Sequence, residues 1–178
     1  MNGLLECTTE VSFSNIINLL DHNIKSSLHG RLDAFNHLIQ IAASKIESQW
    51  LWEPLNDHIP CIGVQLQHLC GNLNQYVVVN LSGVEDTRNR AEEFKSNPDL
   101  DLNELMTQLH GVLQAARNAI DEAPSHLWSD LYHVQGFSMS RLEACIHGIE
   151  HLNYHLGQIA LIIKYFKPQD LGFYPDIK

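Results

Sequence analysis

The sequence is poor in charge and poorer in cations. Charged residues make up 18%, and 11 Lys and Arg stand against 21 Asp and Glu, for a net charge of −10. No basic run appears, so the clustered cations that a phosphate-backbone binder relies on are missing and nucleic acid is not an expected partner. The four cysteines, Cys7, Cys61, Cys70 and Cys145, are scattered without a Cys-x-x-Cys pair. They read as reduced thiols and not as a disulfide scaffold. No apolar run approaches the length of a membrane span, and the first residues, MNGLLECTTEVSF, lack the basic start and unbroken apolar stretch of a signal peptide. The expected location is the cytoplasm, with no membrane partner. Also missing are a convincing period-two strand, an internal repeat, paired carboxylates, a Ser/His/Asp arrangement and a phosphate-cradling glycine loop, which removes several familiar chemistries.

What is present is helical periodicity. The 178 residues, 44% of them hydrophobic, suffice for one domain with a single core. Apolar residues from Ile17 to Ile46 keep three-and-four spacing and predict a first helix over roughly 14–48, bent or broken near Ser26, Ser27 and Gly30. SQWLWEPLNDHIP (48–60) predicts a loop whose tryptophans fold back on the helices. A second helix is expected over 62–80, with Val77, Val78 and Val79 continuing its apolar stripe. LSGVEDTRNRAEEFKSNPDLD (81–101) predicts a long loop, the kind that often carries function. Asp101 with Glu104, and Ser140 with Glu143, look like the caps of a third and a fourth helix, and Pro168 stops the fourth. The stretch APSHLWSDLYHVQGF between them predicts a 3₁₀ turn and an irregular crossing. The expected fold is therefore all-α, a four-helix bundle with long crossover loops. Residues 1–20 are expected to form an N-terminal arm or helix extension, 21–167 the bundle and 168–178 a tail.

Histidine is the compositional outlier, with eleven. In HLNYHLGQIALIIKYF (151–166), His151 and His155 lie four residues apart, about 6 Å along a helix axis, on the stripe that also carries Ile159, Ile162 and Phe166. The pair points inward, and His68 occupies the inward stripe of the second helix. Three imidazoles from two facing helices form a candidate metal site with coordination positions left open, suited to zinc, nickel or another first-row divalent ion. The same spacing is also compatible with a buried, merely hydrogen-bonded histidine pair. Asn72 and Gln158 stand as partners that orient the ligands or as satisfied core amides. His147 extends the series by one turn, too far along the axis to share the ion, and lines the mouth of the site or is exposed. Arg88 and Arg90 either meet an anionic substrate or form solvated ion pairs with Glu85, Asp86 and Glu92. His22 and His37 fall on the polar side of the first helix and His29 on its boundary. His58, His110, His126 and His133 have no partner spacing, and Cys70 and Cys145 lie off the stripes.

Three segments in order, HLCGNLNQY (68–76), GVEDTRNRAEEF (83–94) and HLNYHLGQI (151–159), resemble the DinB-like superfamily of metal-binding four-helix bundles. They are most similar to a bacterial subgroup of uncharacterised members, and the SQWLWEP segment also fits the family's first interhelical loop. The resemblance spans roughly 22–167. It implies His68, His151 and His155 as ligands. It also implies relatives that are thiol S-transferases or a thiol-dependent isomerase, in which the ion activates a thiolate. It does not imply DNA binding. Residues 1–20, the tail QDLGFYPDIK and His147 have no counterpart in the family pattern.

Two functions follow as expectations. One is a metal-dependent enzyme of the thiol-transferase or hydrolase type acting on a small molecule, for instance a low-molecular-weight thiol, and assembled as a homodimer. The other is a non-catalytic bundle that binds a metal or ligand. A metal-free helical protein with a polar core cluster is the remaining possibility, and no general base is identifiable.

Overall fold

A computed structural model describes residues 12–175; residues 1–11 and 176–178, and with them Cys7, part of the expected arm and the end of the tail, lie outside the described residues. The first helix, α1, runs unbroken over Phe13–Ala43. The expected break near Gly30 is absent. Leu28, Leu32 and Phe35 are buried on either side of it, and a single glycine costs only about 1 kcal/mol in a helix interior, against about 1.5–3 kcal/mol for each buried leucine. Residues 13–20 continue this helix, with Phe13, Leu19 and Leu20 exposed.

A 3₁₀ turn at Ser48–Trp50 follows. It returns the tryptophans to the body of the protein: the Trp50 ring stacks on Phe166 at 5.4 Å, and Trp52 Nε1 donates to the Leu100 carbonyl at 2.9 Å. Helix α2, Ile62–Leu73, continues through a π-helical stretch, Asn74–Val79, into a final turn, α3, Asn80–Ser82. Gly83 ends it in the left-handed conformation, φ 69°. The wider π turn brings Gln75, Tyr76 and Val77 all to the interior. There the Tyr132 hydroxyl donates to the Gln75 carbonyl at 3.1 Å. Such turns leave room for a side chain to take over a displaced backbone carbonyl.

The long loop that follows contains one short helix, α4, Arg90–Glu93. Helix α5, Leu102–Glu122, starts on a complete capping box between Asp101 and Glu104. After a 3₁₀ turn at Ser125–Ser129, strands β1, Leu131–Val134, and β2, Phe137–Ser140, form an antiparallel hairpin. This corrects the expectation of an irregular crossing. The strands have four residues each, too short to display alternation, and their turn uses Gln135 and Gly136 at φ 50° and 84°, where the usual sequence signal is Asn-Gly or Asp-Gly. Helix α6, Arg141–Phe166, begins on the Ser140/Glu143 capping box. Replacing Ser140 by Ala is expected to cost about 1 kcal/mol, read as a lower urea midpoint at unchanged slope.

The result is a mostly helical protein with one small two-stranded sheet. Helices α1 and α2 each pack against both α5 and α6. Leu32, Phe35 and Ile39 of α1, Leu66 and Leu69 of α2, Leu105 and Leu109 of α5, and Leu152 and Ile159 of α6 meet in one fully buried core. Leu171, in the segment after α6, is buried against the same core. Among the described residues Cys61, Cys70 and Cys145 are free thiols, and no helix is long and apolar enough to cross a membrane.

Candidate metal centre

The inward stripes of α2 and α6 face each other. His68 comes from the first and His151 and His155 from the second. One ring nitrogen from each of the three lies within 4.8 Å of those of the other two. His68 and His155 are buried, and His151 sits half-buried at the edge. His68 Nε2 and His151 Nε2 are 2.8 Å apart.

The opposite ring nitrogens are held by protein acceptors. His68 Nδ1 lies 2.8 Å from Glu93 Oε2, and His155 Nδ1 lies 3.1 Å from Gln65 Oε1. A ring that donates from Nδ1 leaves Nε2 as a lone-pair donor, the form a metal ion requires. Burial, then the neighbouring imidazoles of His155, His68 and His147, and last Arg88, push the His151 pKa down to about 3. Burial, followed by His68, pushes His155 down to about 4, with Gln158 acting in the opposite direction. Both rings are therefore neutral at pH 7. Three imidazoles converging from two helices, with no carboxylate among the three converging donors, are a donor set that fits a borderline divalent ion.

Glu93 and Arg88 form the floor of this arrangement. Burial alone would raise the Glu93 pKa, but its hydrogen bonds from Arg88 and His68 outweigh that and bring it below the usual carboxylate range. Arg88 donates to both carboxylate oxygens, Nε to Oε1 at 2.6 Å and Nη2 to Oε2 at 2.7 Å. Its Nη1 donates to Gln75 Oε1 at 2.7 Å, while Gln75 Nε2 donates to Asp86 Oδ2 at 2.6 Å. Neither Arg88 nor Glu93 was pointed to this pairing by the sequence, where Arg88 was expected to face a substrate or solvated acids such as Glu85 and Glu92. Glu93 lay in the quoted loop segment without periodicity to single it out. The structure shows why position 71, on the second helix three residues after His68, is a glycine. A β-carbon there would coincide with the Glu93 carboxylate and crowd Arg88. Gly71→Ala is therefore expected to expel Glu93 and destabilise the fold by about 1–3 kcal/mol, as measured by denaturant unfolding.

The other sequence candidates take various places. Asn72 is buried, but its Oδ1 accepts no hydrogen bond; the amides beside a site imidazole are Gln65, one helical turn before His68 on the same stripe, and Gln158, both acting on His155. His147 is exposed, its ring 4.4 Å from Tyr76 and 5.8 Å from His151. Arg90 is exposed, with its guanidinium 4.8 Å from the centroid of the Phe94 ring, and Phe94 packs on His68 at 4.7 Å. His29 pairs with Asp121 at 2.8 Å, His110 with Gln40 at 3.0 Å and His133 with Ser138 at 2.7 Å, all away from the cluster. Burial, then the Glu93 charge, push the Cys70 thiol up to about 12, so at neutral pH it is no thiolate.

Fold and site together define a mostly helical protein whose two facing helices carry a three-histidine cluster able to hold a metal ion. The chain belongs to the family described as "Protein of unknown function (DUF1572)", which matches residues 19–173. Comparison with curated proteins gives no match.

Proposed function

We propose that the protein is a metal-dependent enzyme of the DinB-like four-helix-bundle type, in the thiol S-transferase or hydrolase class, with His68, His151 and His155 holding one divalent ion, zinc or nickel. The observation that carries this reading is the convergence of three ring nitrogens within 4.8 Å, two of them on rings that burial keeps neutral. The bundle assignment is supported by the packing of α1 and α2 against both α5 and α6. Three protein ligands leave coordination positions for water or substrate, the pattern of catalytic rather than structural zinc sites. An ion held there supplies Lewis acidity, lowering the proton affinity of a water or thiol that it binds.

The chain's own residues set the access. His151 is only half-buried, and exposed His147 and Tyr154 flank it, so a small molecule reaches the cluster from the His147 and Tyr154 side of α6. Because Cys70 stays protonated, the reacting thiol in a transferase would arrive from solution, in keeping with a low-molecular-weight thiol as substrate. The test is elemental analysis of the purified, untagged protein beside His151→Ala. Near-stoichiometric zinc or nickel that disappears in the variant is expected, and thiols with electrophiles are then assayed against the loaded protein. Metal absent from both, even after incubation with either ion, would overturn the reading.

A further inference from the structure

We infer that Glu93 is a positioning residue for the metal site: its carboxylate, clamped by Arg88, fixes the tautomer of His68 and strengthens the ring as a metal ligand. The inference rests on the reading of the three histidines as ligands and goes beyond it by assigning a function to the loop between α3 and α5.

Glu93 Oε2 lies 2.8 Å from His68 Nδ1, on the side of the ring away from His151. A carboxylate has only acceptors, so the contact requires a proton on Nδ1 and leaves Nε2 with its lone pair toward the other imidazoles. The carboxylate cannot turn away. Arg88 holds both its oxygens, and the missing side chain of Gly71 makes the space it occupies. The backbone at and just after Glu93 is tied down as well, because Gln67 Nε2 donates to the Glu93 carbonyl at 3.4 Å and the Lys95 carbonyl at 3.0 Å. Phe94 covers the face of the same imidazole. A loop held only for stability would not need an anion aimed at the one ring nitrogen that selects the tautomer. An alternative arrangement exists in the same geometry: Arg88 Nη2 is 3.4 Å from His68 Nδ1 and could donate to that nitrogen if the proton sat on Nε2. The carboxylate, closer by 0.6 Å (3.4 − 2.8), is the stronger partner.

Carboxylates in this position hold a ligand in the required tautomer and increase its basicity, and removing them weakens metal binding by about 10–100-fold. The experiment uses the full chain, wild type and Glu93→Gln, titrated with zinc against a chromophoric chelator and with cobalt followed by its visible absorption. Glutamine keeps the shape and an acceptor oxygen but not the charge. The expected result is a zinc Kd weaker by about 10–100-fold and an altered cobalt spectrum in the variant. A Kd within twofold of wild type with an identical cobalt spectrum would overturn the inference while leaving the three-histidine site standing. Wild-type protein that binds neither ion removes the metal site, and this inference with it. Should Glu93→Gln fail to fold, long-range ¹H–¹⁵N correlation on the wild-type, metal-free protein decides the matter: a protonated Nδ1 on His68 supports the carboxylate clamp, and a protonated Nε2 overturns it.

Discussion

Excess zinc added to the metal-free protein is expected to raise its melting temperature by roughly 5–10 °C, and the rise is expected to vanish in His68→Ala. The magnitude follows from linkage. An ion that binds only the native chain at a hundred times its Kd adds about 2.7 kcal/mol, and a domain of this size moves by about 2–4 °C for each kcal/mol. His68 is the position to remove because it alone brings α2 into the site; without it the ion has only the α6 pair. The relevant quantity is the zinc-induced rise and not the melting temperature itself, since His68→Ala also deprives the largely covered Glu93 carboxylate of a partner at 2.8 Å and lowers the baseline. A wild-type melting temperature indifferent to zinc, nickel and chelator alike would count against the metal site. Equal rises in both proteins would place the bound ion elsewhere.

Arg88→Ala is expected to destabilise the protein by about 3–5 kcal/mol, the usual loss when one member of a buried ion pair is removed. The side chains of Arg88 and Glu93 are only 3% and 11% exposed, which separates this pair from surface ion pairs worth about 0–1 kcal/mol. Truncation leaves the Glu93 carboxylate in a poorly hydrated position with His68 as its remaining side-chain partner, and it takes a donor from Gln75. Removing both charges together, in Arg88→Ala/Glu93→Ala, is expected to cost less than Arg88→Ala alone because no unpaired anion remains buried. Denaturant unfolding of the two variants and wild type tests this directly. A loss below about 1 kcal/mol in Arg88→Ala would show that the pair behaves as a solvated one.

Zinc stabilisation reads the imidazole side of His68, and Arg88→Ala reads the support behind it. The support reaches further than the loop, because Gln75 joins Arg88 to the hairpin: Gln135 Nε2 donates to Gln75 Oε1 at 2.7 Å, and Tyr132 caps the Gln75 carbonyl in the π turn. The hairpin and the π turn are thus physically continuous with the candidate site, and both were invisible in the periodicity. A π turn conserves the helical spacing on each side of it and hides one extra inward residue. A four-residue strand pair with a Gln-Gly turn offers too few alternations to separate from a loop.

Legibility followed the range of the interaction. The helices, their capping boxes and the His151/His155 spacing were encoded within a few residues of one another, so the sequence by itself determined a mostly helical chain and an inward-facing imidazole pair on α6. Burial of a periodic stripe and satisfaction of end N–H groups are local requirements, and local residues answer them. Tertiary structure alone decided that α1 runs through Gly30, where packing outweighs a small propensity cost. It alone decided that Gln65 and Glu93, rather than Asn72, hold the outer nitrogens of the site imidazoles, and that Arg88 is buried against an acid instead of facing solvent. Glu93 is 25 residues from His68 and Gln65 is 90 residues from His155. Contacts at such separations depend on how helices pack and on the absence of a side chain at Gly71, neither of which has a periodicity to read.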